Sequence, residues 1–318
     1  MSRPSSGDRA ARLGAMDRAE RAFTAERPRL VGLAYRILGS RVDAEDVVQE
    51  AWIRFQRADP ATVERPEAWL TTVVSRLALD QLKSARHRRE TYVGPWLPEP
   101  VRTPVVQQPS RTETDPSELA TMADTLTTGF LQMLESLGPV ERVVFLLADV
   151  FAVPHDQIAT VVERSPEATR QIASRARRKV RTGDSPRHDP DPAATQVVEA
   201  LVSALVAGDI EAVVRLVADD AVLVSDGGAD THAARRPVVG VDRVTRFAIN
   251  LVKRMLDHAD AMSIDLGRIN AEPGLVVSFS DQPFLAATFT VVDGRIHRLH
   301  LVRNPDKLAA LDFDGDLR

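Results

Sequence analysis

The chain has 318 residues, 44% of them apolar, which is enough for two or three domains with hydrophobic cores of their own. The absence of cysteine excludes a disulfide scaffold, a cysteine nucleophile and a thiolate zinc or iron–sulfur site. The net charge of −4 is unevenly distributed, because residues 1–183 hold 27 Lys and Arg against 24 Asp and Glu, whereas residues 184–318 hold 14 against 21.

Membrane and export signals are missing from the sequence. No segment reaches the roughly 18 uncharged apolar residues of a membrane span, and the N-terminus lacks the apolar run of a signal peptide. We therefore expect a cytoplasmic protein without a membrane partner. Residues 1–16, rich in Ser, Arg and Gly, are expected to form a loose tail.

Residues 17–90 predict a helical bundle. The apolar residues between Leu30 and Leu38 keep helical spacing up to Gly39, and Asp43 can cap a second helix. That helix places apolar residues, Trp52 among them, on one stripe and Asp46, Gln49 and Glu50 on another face. A third helix after Pro66 carries Trp69 inward and then becomes basic from Lys83 to Arg89. We interpret both tryptophans as core aromatics.

Residues 91–116 predict a stiff linker, because their six prolines are too closely spaced for a helix or a central strand. Helical patterns return in residues 117–182. Val140–Val150 predicts a buried helix, and a short helix after Pro154 leads to a turn at Glu163-Arg164-Ser165. Ser165 followed by Pro166 is a strong signal for the start of another helix.

The helix after Pro166 is strongly basic, with cations up to Arg181 opposed by a single acid, Glu167. A short helix, a turn and a basic helix together predict a helix-turn-helix whose last helix enters the major groove of DNA. The basic end of the third helix, Lys83–Arg89, predicts a second nucleic-acid contact.

A second break at 183–192 precedes a unit of mixed periodicity at 193–311 and a tail at 312–318. Two helices up to Val217 and a strand at Ala221–Ser225 lead into a glycine turn at Asp226. Val241–Leu256 predicts a helix. Three strand candidates and a hairpin at Asp293-Gly294 complete an α+β cone.

The polar residues of this third unit that could line a pocket for an unknown small ligand are Asp226, His232, Asp281, His297 and His300. Their spacing shows no arrangement of a nucleophile with a base, so we expect no catalytic residue, no metal and no cofactor.

The motifs resemble those of a known family. The segment Arg41–Trp52, RVDAEDVVQEAW, resembles region 2.2 of bacterial sigma factors, and Glu67–Leu70 through Arg89 resembles regions 2.3 and 2.4. Leu134–Arg142 through Arg181 resembles region 4. The short two-domain layout is similar to that of the extracytoplasmic-function (ECF) RNA polymerase sigma factors.

Three further motifs resemble the SigJ-type subgroup, which has a fused C-terminal SnoaL-like domain of the NTF2 fold. They are WLPEP at Trp96, Leu97, Pro98, Glu99 and Pro100; a glycine turn at Asp226, Gly227 and Gly228; and NPDKL at Asn304, Pro305, Asp306, Lys307 and Leu308. The turn departs from the subgroup pattern, which has a third glycine and a lysine where this chain has Ala229 and Asp230. Region 2.3 also departs, since Leu77 follows Arg76 where many relatives have Asn.

The resemblance implies a multidomain fold: an all-α region 2 bundle, an all-α region 4 helix-turn-helix and the α+β cone. It implies that Asp46, Gln49 and Glu50 bind core RNA polymerase at the β′ clamp helices, with the β flap as a further contact. It also implies two sets of DNA-binding residues. The −10 element would be bound by Arg76, Lys83, Arg86, Arg88 and Arg89, and the −35 element by Arg170, Gln171, Ser174, Arg175 and Arg178.

For the acidic third unit we hypothesise that it packs against the Trp96–Pro100 linker and tunes promoter binding, because a short tether gives it a high effective concentration.

The sequence leaves two alternative functions open. One is a ligand-sensing helix-turn-helix regulator that works without polymerase. The other is a SnoaL-like enzyme with a fused DNA-binding module.

Overall fold

The computed structural model describes residues 6–58, 63–89, 92–103, 126–182, 192–229, 231–257 and 262–312. Its helices are α1 Ser6–Leu38, α2 Arg41–Arg57, α3 Pro66–Arg89, α4 Thr128–Leu134, α5 Pro139–Phe145, α6 His155–Val162, α7 Pro166–Thr182, α8 Pro192–Ala207, α9 Ile210–Leu216, α10 Val241–Leu256 and α11 Pro305–Leu308. Its strands are β1 Val217–Asp226, β2 Val238–Val239, β3 Met262–Ile269, β4 Glu272–Phe279, β5 Gln282–Val292 and β6 Arg295–Val302. A π-helical turn covers Leu146–Val150, and a 3₁₀ turn covers Ala309–Asp312.

These elements form two compact units. The helical unit takes in α1, α2, most of α3 and the helices from α5 through most of α7. The C-terminal unit contains the described linker residues, α4 and everything from α8 onward. The three folded units expected from the sequence stay a prediction, and the structure groups the linker and α4 with the C-terminal unit. The linker and α4 contribute apolar residues such as Leu97, Val101 and Leu131 that are buried on folding.

In the helical unit, α1 and α2 pack against each other and are joined by a short turn at Gly39. Ser40 caps α2, because its hydroxyl accepts the N–H of Asp43 over 3.1 Å. Val47, Val48, Ala51 and Phe55 of the predicted stripe are buried, and Trp52 is half-buried. Residues 1–16 were expected to be a loose tail, but α1 begins at Ser6. The Ala, Arg and Leu residues that follow are good helix formers, which accounts for the difference.

The predicted single helix Val140–Val150 is also wrong in detail. The α-helical hydrogen bonds of α5 end at Phe145, and a π-helical turn carries the chain to Val150. The N–H of Phe151 donates to the carbonyl of Leu146 over 3.0 Å, which is the wider i to i+5 spacing. Ala152 then takes a positive φ of 50°, and the chain turns into α6.

The C-terminal unit is built on a six-stranded sheet with the order β2-β1-β6-β5-β4-β3. β1 and β6 are parallel, and the other neighbours are antiparallel. The Asp293-Gly294 hairpin predicted from the sequence joins β5 to β6, with Asp293 and Gly294 both at positive φ.

The two faces of this sheet are covered differently. One face packs its apolar residues against α8, α9 and α10 in the main hydrophobic core. A smaller cluster joins Leu97 of the linker and Leu308 of α11 to sheet residues such as Val224, Val276 and Val302. The linker therefore lies in a hydrophobic core of this unit. Helical segments followed by an α+β sheet domain confirm the predicted fold class.

Candidate nucleic-acid interface and linker-binding site

The basic helix α7 is positioned by a tight turn after α6. Glu163 adopts a left-handed conformation (φ 54°), and the N–H of Arg164 donates to the carbonyl of Ala159 over 3.1 Å, which closes α6. Ser165 Oγ then accepts the N–H of Ala168 over 3.2 Å, and Pro166 occupies the first helical position. The predicted turn is therefore built by the residues that the sequence indicated.

One face of α7 is buried and the opposite face is basic. Thr169, Ala173 and Ala176 pack inward. The five residues predicted to bind the −35 element all lie on the exposed face: Arg170, Gln171, Ser174, Arg175 and Arg178. Their spacing of three and four residues brings them onto one surface, where guanidinium and amide groups can meet phosphates and base edges.

Two other cations of α7 are held by carboxylates of the same unit. Arg177 Nε donates to Asp149 Oδ1 over 2.6 Å, and Lys179 Nζ donates to Glu141 Oε2 over 2.7 Å. These ion pairs attach α7 to the turn after α5 and to α5 itself. Arg177 and Lys179 therefore help to orient α7, in contrast to the cations of the predicted DNA-binding face.

The residues predicted to bind the −10 element lie on α3. The exposed Arg76 donates from Nη2 to the backbone carbonyl of Thr160 in α6 over 2.6 Å. Lys83 is exposed and pairs with Asp80 over 3.3 Å. Arg86, Arg88 and Arg89 fall in the last turns of α3, and their side chains lie outside the described part of the structure.

A cleft of about 490 Å³ runs beside the Arg76 contact. It is lined by α3 residues, Trp69 and Arg76 among them, and by Asp156, Gln157 and Thr160 of α6. Trp69 is also part of an aromatic row, because its ring lies 5.4 Å from that of Phe55, whose ring lies 6.0 Å from that of Trp52. Both tryptophans are half-buried, so each combines packing with an exposed edge.

The predicted polymerase-binding residues lie on α2, away from its buried stripe. Asp46 and Gln49 are exposed, and Glu50 is partly exposed. Glu50 Oε1 accepts from Arg54 Nε over 2.8 Å, an ion pair one helical turn apart. The structure brings the three side chains onto one solvent-facing surface of the helical unit.

The C-terminal unit contains a buried charged cluster around Asp226, at the end of β1. This carboxylate is completely buried, yet it accepts hydrogen bonds from Tyr92 Oη (2.5 Å), the N–H of Leu97 (2.8 Å) and Lys307 Nζ (2.6 Å). The N–H of Gly228 donates to it over 3.1 Å. Burial, followed by the hydrogen bond to Asp226, raises the pKa of Tyr92 above its usual value.

Lys307 completes the clamp on the linker. Its ammonium group donates to the carbonyl oxygen of Leu97, while Asp226 accepts the N–H of the same residue. The ammonium group also lies 4.1 Å from the ring centroid of Trp96 and 5.1 Å from that of Tyr92. Asn304, which caps the N-terminus of α11, donates from Nδ2 to Tyr92 Oη over 2.9 Å and so supports the cluster.

The three motifs that resemble the subgroup therefore meet at one place. Within WLPEP, Trp96 is half-buried and Leu97, Pro98, Glu99 and Pro100 are buried. Within NPDKL, Asn304, Lys307 and Leu308 are buried, and Pro305 and Asp306 are exposed. Gly227 has no room for a side chain, because a Cβ there would lie 2.5 Å from the carbonyl oxygen of Thr231.

The cation of this cluster comes from the NPDKL motif. Lys307 supplies the cation that pairs with Asp226, so the pairing does not depend on position 230. Asp230 itself lies outside the described residues.

The main core of the C-terminal unit encloses a cavity of about 70 Å³. Its lining is entirely apolar and includes Leu201, Met255 and Phe289. None of the five polar residues predicted to line a pocket contributes to it, so that prediction is wrong for this cavity. In the ranges that the structure describes, no three His, Asp or Glu side chains come together as a metal site requires.

Each of those five polar residues lies elsewhere in the C-terminal unit. Asp226 belongs to the linker clamp, and His232 lines a separate polar cleft of about 310 Å³ beside the glycine turn. Asp281 is exposed in the turn between β4 and β5. His297 Nδ1 lies 3.5 Å from Asp220 Oδ1. His300 is buried, and within the described part of the chain neither of its ring nitrogens has a hydrogen-bond partner.

Sequence reasoning missed several residues that organise these sites. Tyr92, Asn270 and Glu272 carry no motif signal of their own. Glu272 follows a turn and starts a strand, a position that usually faces solvent, yet it is buried. Only the covering of this sheet face by the linker and α4 explains its burial, and that arrangement cannot be inferred from local periodicity.

Comparisons with known proteins identify related domains. Residues 22–88 match the family model for Sigma-70 region 2, and residues 129–180 match that for Sigma-70, region 4. The ECF RNA polymerase sigma factor SigJ of Mycobacterium tuberculosis strain H37Rv is 42% identical over 293 residues, covering 90% of this chain and 91% of the relative. The probable ECF RNA polymerase sigma factor SigI of M. tuberculosis is 37% identical, covering 91% and 94%.

The crystal structure of M. tuberculosis SigJ superposes with a TM-score of 0.71 at 38% identity, covering 92% of this chain and 99% of that one. The likeness extends over both sigma regions and the C-terminal domain. In the part of the chain that is described, no helix has the length and apolar character needed to cross a bilayer.

Proposed function

The chain belongs to the ECF RNA polymerase sigma factors, which bind core RNA polymerase and direct promoter recognition and transcription initiation, and from this membership we propose that its C-terminal unit controls that activity by holding the linker. As a sigma factor it is a non-enzymatic regulator of transcription, and we expect it to act in the cytoplasm. The catalytic step of RNA synthesis belongs to the polymerase.

For promoter recognition we propose the division of labour that the resemblance implies. The exposed face of α7 contacts the −35 element through Arg170, Gln171, Ser174, Arg175 and Arg178. The α3 surface, including Arg76 and Lys83, contacts the −10 element. Asp46, Gln49 and Glu50 on α2 bind the β′ clamp helices of the polymerase. The exposure of these side chains supports the assignment.

The observation that carries the regulatory proposal is the clamp on Leu97. Both polar groups of its backbone are bound by a buried pair of opposite charges, Asp226 and Lys307, and its side chain is completely buried. By its resemblance to sigma factors, the chain would thread this linker toward the RNA exit path of the polymerase. It cannot do so while Leu97 is held, so the C-terminal unit and the polymerase compete for the linker.

Removal of the positive charge of Lys307 should weaken the competition of the C-terminal unit with the polymerase for the linker. Lys307→Met keeps most of the side-chain volume and removes one side of the clamp, so we expect several-fold more transcript at limiting core polymerase. The matched control is Lys253→Met, because Lys253 is an exposed lysine of the same unit. Run-off transcription measures both variants. Equal output from Lys307→Met and the unmodified protein, with the fold intact by circular dichroism, would refute the proposed regulation by the C-terminal unit.

A further inference from the structure

The linker is not the only segment of the sigma regions that lies on the C-terminal sheet. The short helix α4, Thr128–Leu134, belongs to the C-terminal unit, although residues 129–180 match the family model of region 4. The other region 4 helices, from α5 onward, belong to the helical unit except for the end of α7. The first helix of region 4 is therefore assigned to a different unit from the rest of its family domain.

A buried carboxyl group holds this helix in place. Glu272 at the start of β4 is 1% exposed, and its Oε2 accepts the N–H of Thr128 over 2.8 Å. Its Oε1 accepts the hydroxyl of Thr290 over 2.8 Å. A buried carboxyl group is costly unless its oxygens are hydrogen-bonded, and the seated Thr128 satisfies the Oε2 oxygen of Glu272.

The hydroxyl of Thr128 adds two further contacts to the sheet. Thr288 Oγ1 lies 3.0 Å from Thr128 Oγ1, and Asn270 Nδ2 donates to Thr128 Oγ1 over 3.3 Å. Together with Glu272, these residues form a polar seat for one residue of α4. Thr127, Thr128 and Leu131 are all buried.

Asn270 links this seat to the linker. Its Oδ1 accepts the N–H of Val101 over 2.9 Å, and its own N–H donates to the carbonyl of Val101 over 2.8 Å. One asparagine thus contacts the chain both before and after residues 104–125. The connection between the two sigma regions is fixed at both of its ends on the same part of the sheet.

We propose that the sheet surface formed by Asn270, Glu272 and Thr288 is a docking site for the first helix of region 4, and that release of this helix is a separate step in activation. This inference rests on the proposed function, in which the C-terminal unit controls the sigma regions. It adds a second element to that control, because region 4 has its full set of helices only when α4 leaves the seat.

The full-length chain allows a selective test. Thr128 is the first residue of α4, where proline fits helical geometry, so Thr128→Pro removes the N–H together with the hydroxyl. Thr127 has φ −56° and ψ 143°, a conformation that a residue before proline favours. Thr128→Pro therefore removes the backbone hydrogen bond to Glu272 and the two hydroxyl contacts, while every residue of the sheet stays the same. Thr128→Val is the matched control, since it keeps the N–H and loses the hydroxyl.

Hydrogen exchange and transcription supply the two readouts. We expect Thr128→Pro to speed amide exchange in residues 129–136 at least about tenfold, the effect of losing one hydrogen bond to a carboxyl group. Exchange in residues 97–103 should stay unchanged, and run-off transcription at limiting core polymerase should rise. Thr128→Val should have the smaller effect on both.

Unchanged exchange in residues 129–136, or an equal acceleration in residues 97–103, would overturn the docking site. Faster exchange at α4 without any change in transcription would overturn its role in activation. These outcomes differ from a failure of the linker clamp, because Lys307→Met tests the clamp without altering Thr128 or Glu272. A chain in which Lys307→Met has no effect but Thr128→Pro raises output would keep the α4 site and remove the clamp.

Discussion

Asp226 and Lys307 form a buried ion pair of 2.6 Å across 81 residues of sequence, with side chains that are 0% and 8% exposed. Buried pairs of this kind contribute little net stability compared with apolar residues, but the loss of one partner leaves a buried charge. We therefore expect the main role of this pair to be to specify where the linker lies.

The two partners should differ in the cost of their removal. Asp226 without Lys307 keeps its donors Tyr92, Leu97 and Gly228, whereas Lys307 without the carboxylate loses its buried ion-pair partner and keeps the carbonyl of Leu97 and the rings of Trp96 and Tyr92. We expect Asp226→Asn to lower the free energy of unfolding by about 3–5 kcal/mol. Lys307→Met should cost clearly less. Urea unfolding of the full chain measures the difference, and equal costs would contradict this view of the cluster.

Arg175 and Arg177 provide a matched pair on the recognition helix. Arg175 lies on the exposed face of α7, whereas Arg177 is held by Asp149. Arg175→Ala should weaken binding to the −35 element by about 1–3 kcal/mol if its guanidinium group reads a base. Arg177→Ala should change binding much less. A fluorescence-anisotropy titration with matched and mutated −35 sequences measures both, and identical losses for the two variants would refute the assignment of the DNA-binding face.

The polymerase-binding surface can be tested with a control variant that has the same change in net charge. Asp46→Ala with Glu50→Ala should reduce affinity for core polymerase, because two carboxylates of the exposed α2 face are removed. The control is Glu199→Ala with Glu211→Ala, which removes two exposed carboxylates from the C-terminal unit. Quantitative pull-down with core enzyme distinguishes the pairs. Retention of full affinity by the α2 variant would contradict the docking surface.

His300 predicts a pH dependence of stability. Burial, with a further contribution from Arg298, lowers the pKa of His300 to about 3. The unfolded chain therefore binds a proton near the ordinary pKa of about 6.5 while the folded chain does not, and stability is lost as the pH falls below that value. Between about pH 7.5 and pH 5 the expected loss is about 2 kcal/mol.

The variant His300→Leu should remove this contribution and leave a flatter stability profile. It should also relieve the burial of two ring nitrogens that lack partners in the described structure. Urea unfolding at the two pH values, compared with the exposed variant His232→Leu, gives the measurement. An acid sensitivity as large as that of the unmodified chain would show that His300 is not the group responsible.

Much of the architecture follows from local sequence signals. The Ser165-Pro166 start of α7, the Asp293-Gly294 hairpin and the amphipathic stripe of α2 are each fixed by neighbouring residues, and the structure confirms them. The exposed positions on α7 follow from the same periodicity. Their role in reading DNA remains a prediction.

The contacts that organise the C-terminal site could not be predicted in the same way. Lys307 pairs with Asp226, and Glu272 with Thr128, over separations of 81 and 144 residues. Nothing in the sequence around Glu272 distinguishes a buried carboxyl group from an exposed one. The sequence also could not show that α4 packs with the C-terminal sheet, because its apolar residues suit either set of helices.

As a sigma factor, this chain gives core RNA polymerase its choice of start sites. The direct measurement is transcription of genomic DNA from the encoding organism by purified core polymerase, with and without the full-length chain, followed by sequencing of RNA 5′ ends. We expect discrete start sites that appear only with the chain and share two upstream sequence elements at a fixed spacing. Identical 5′ ends in both reactions, with the Lys307→Met variant also inactive, would contradict the account.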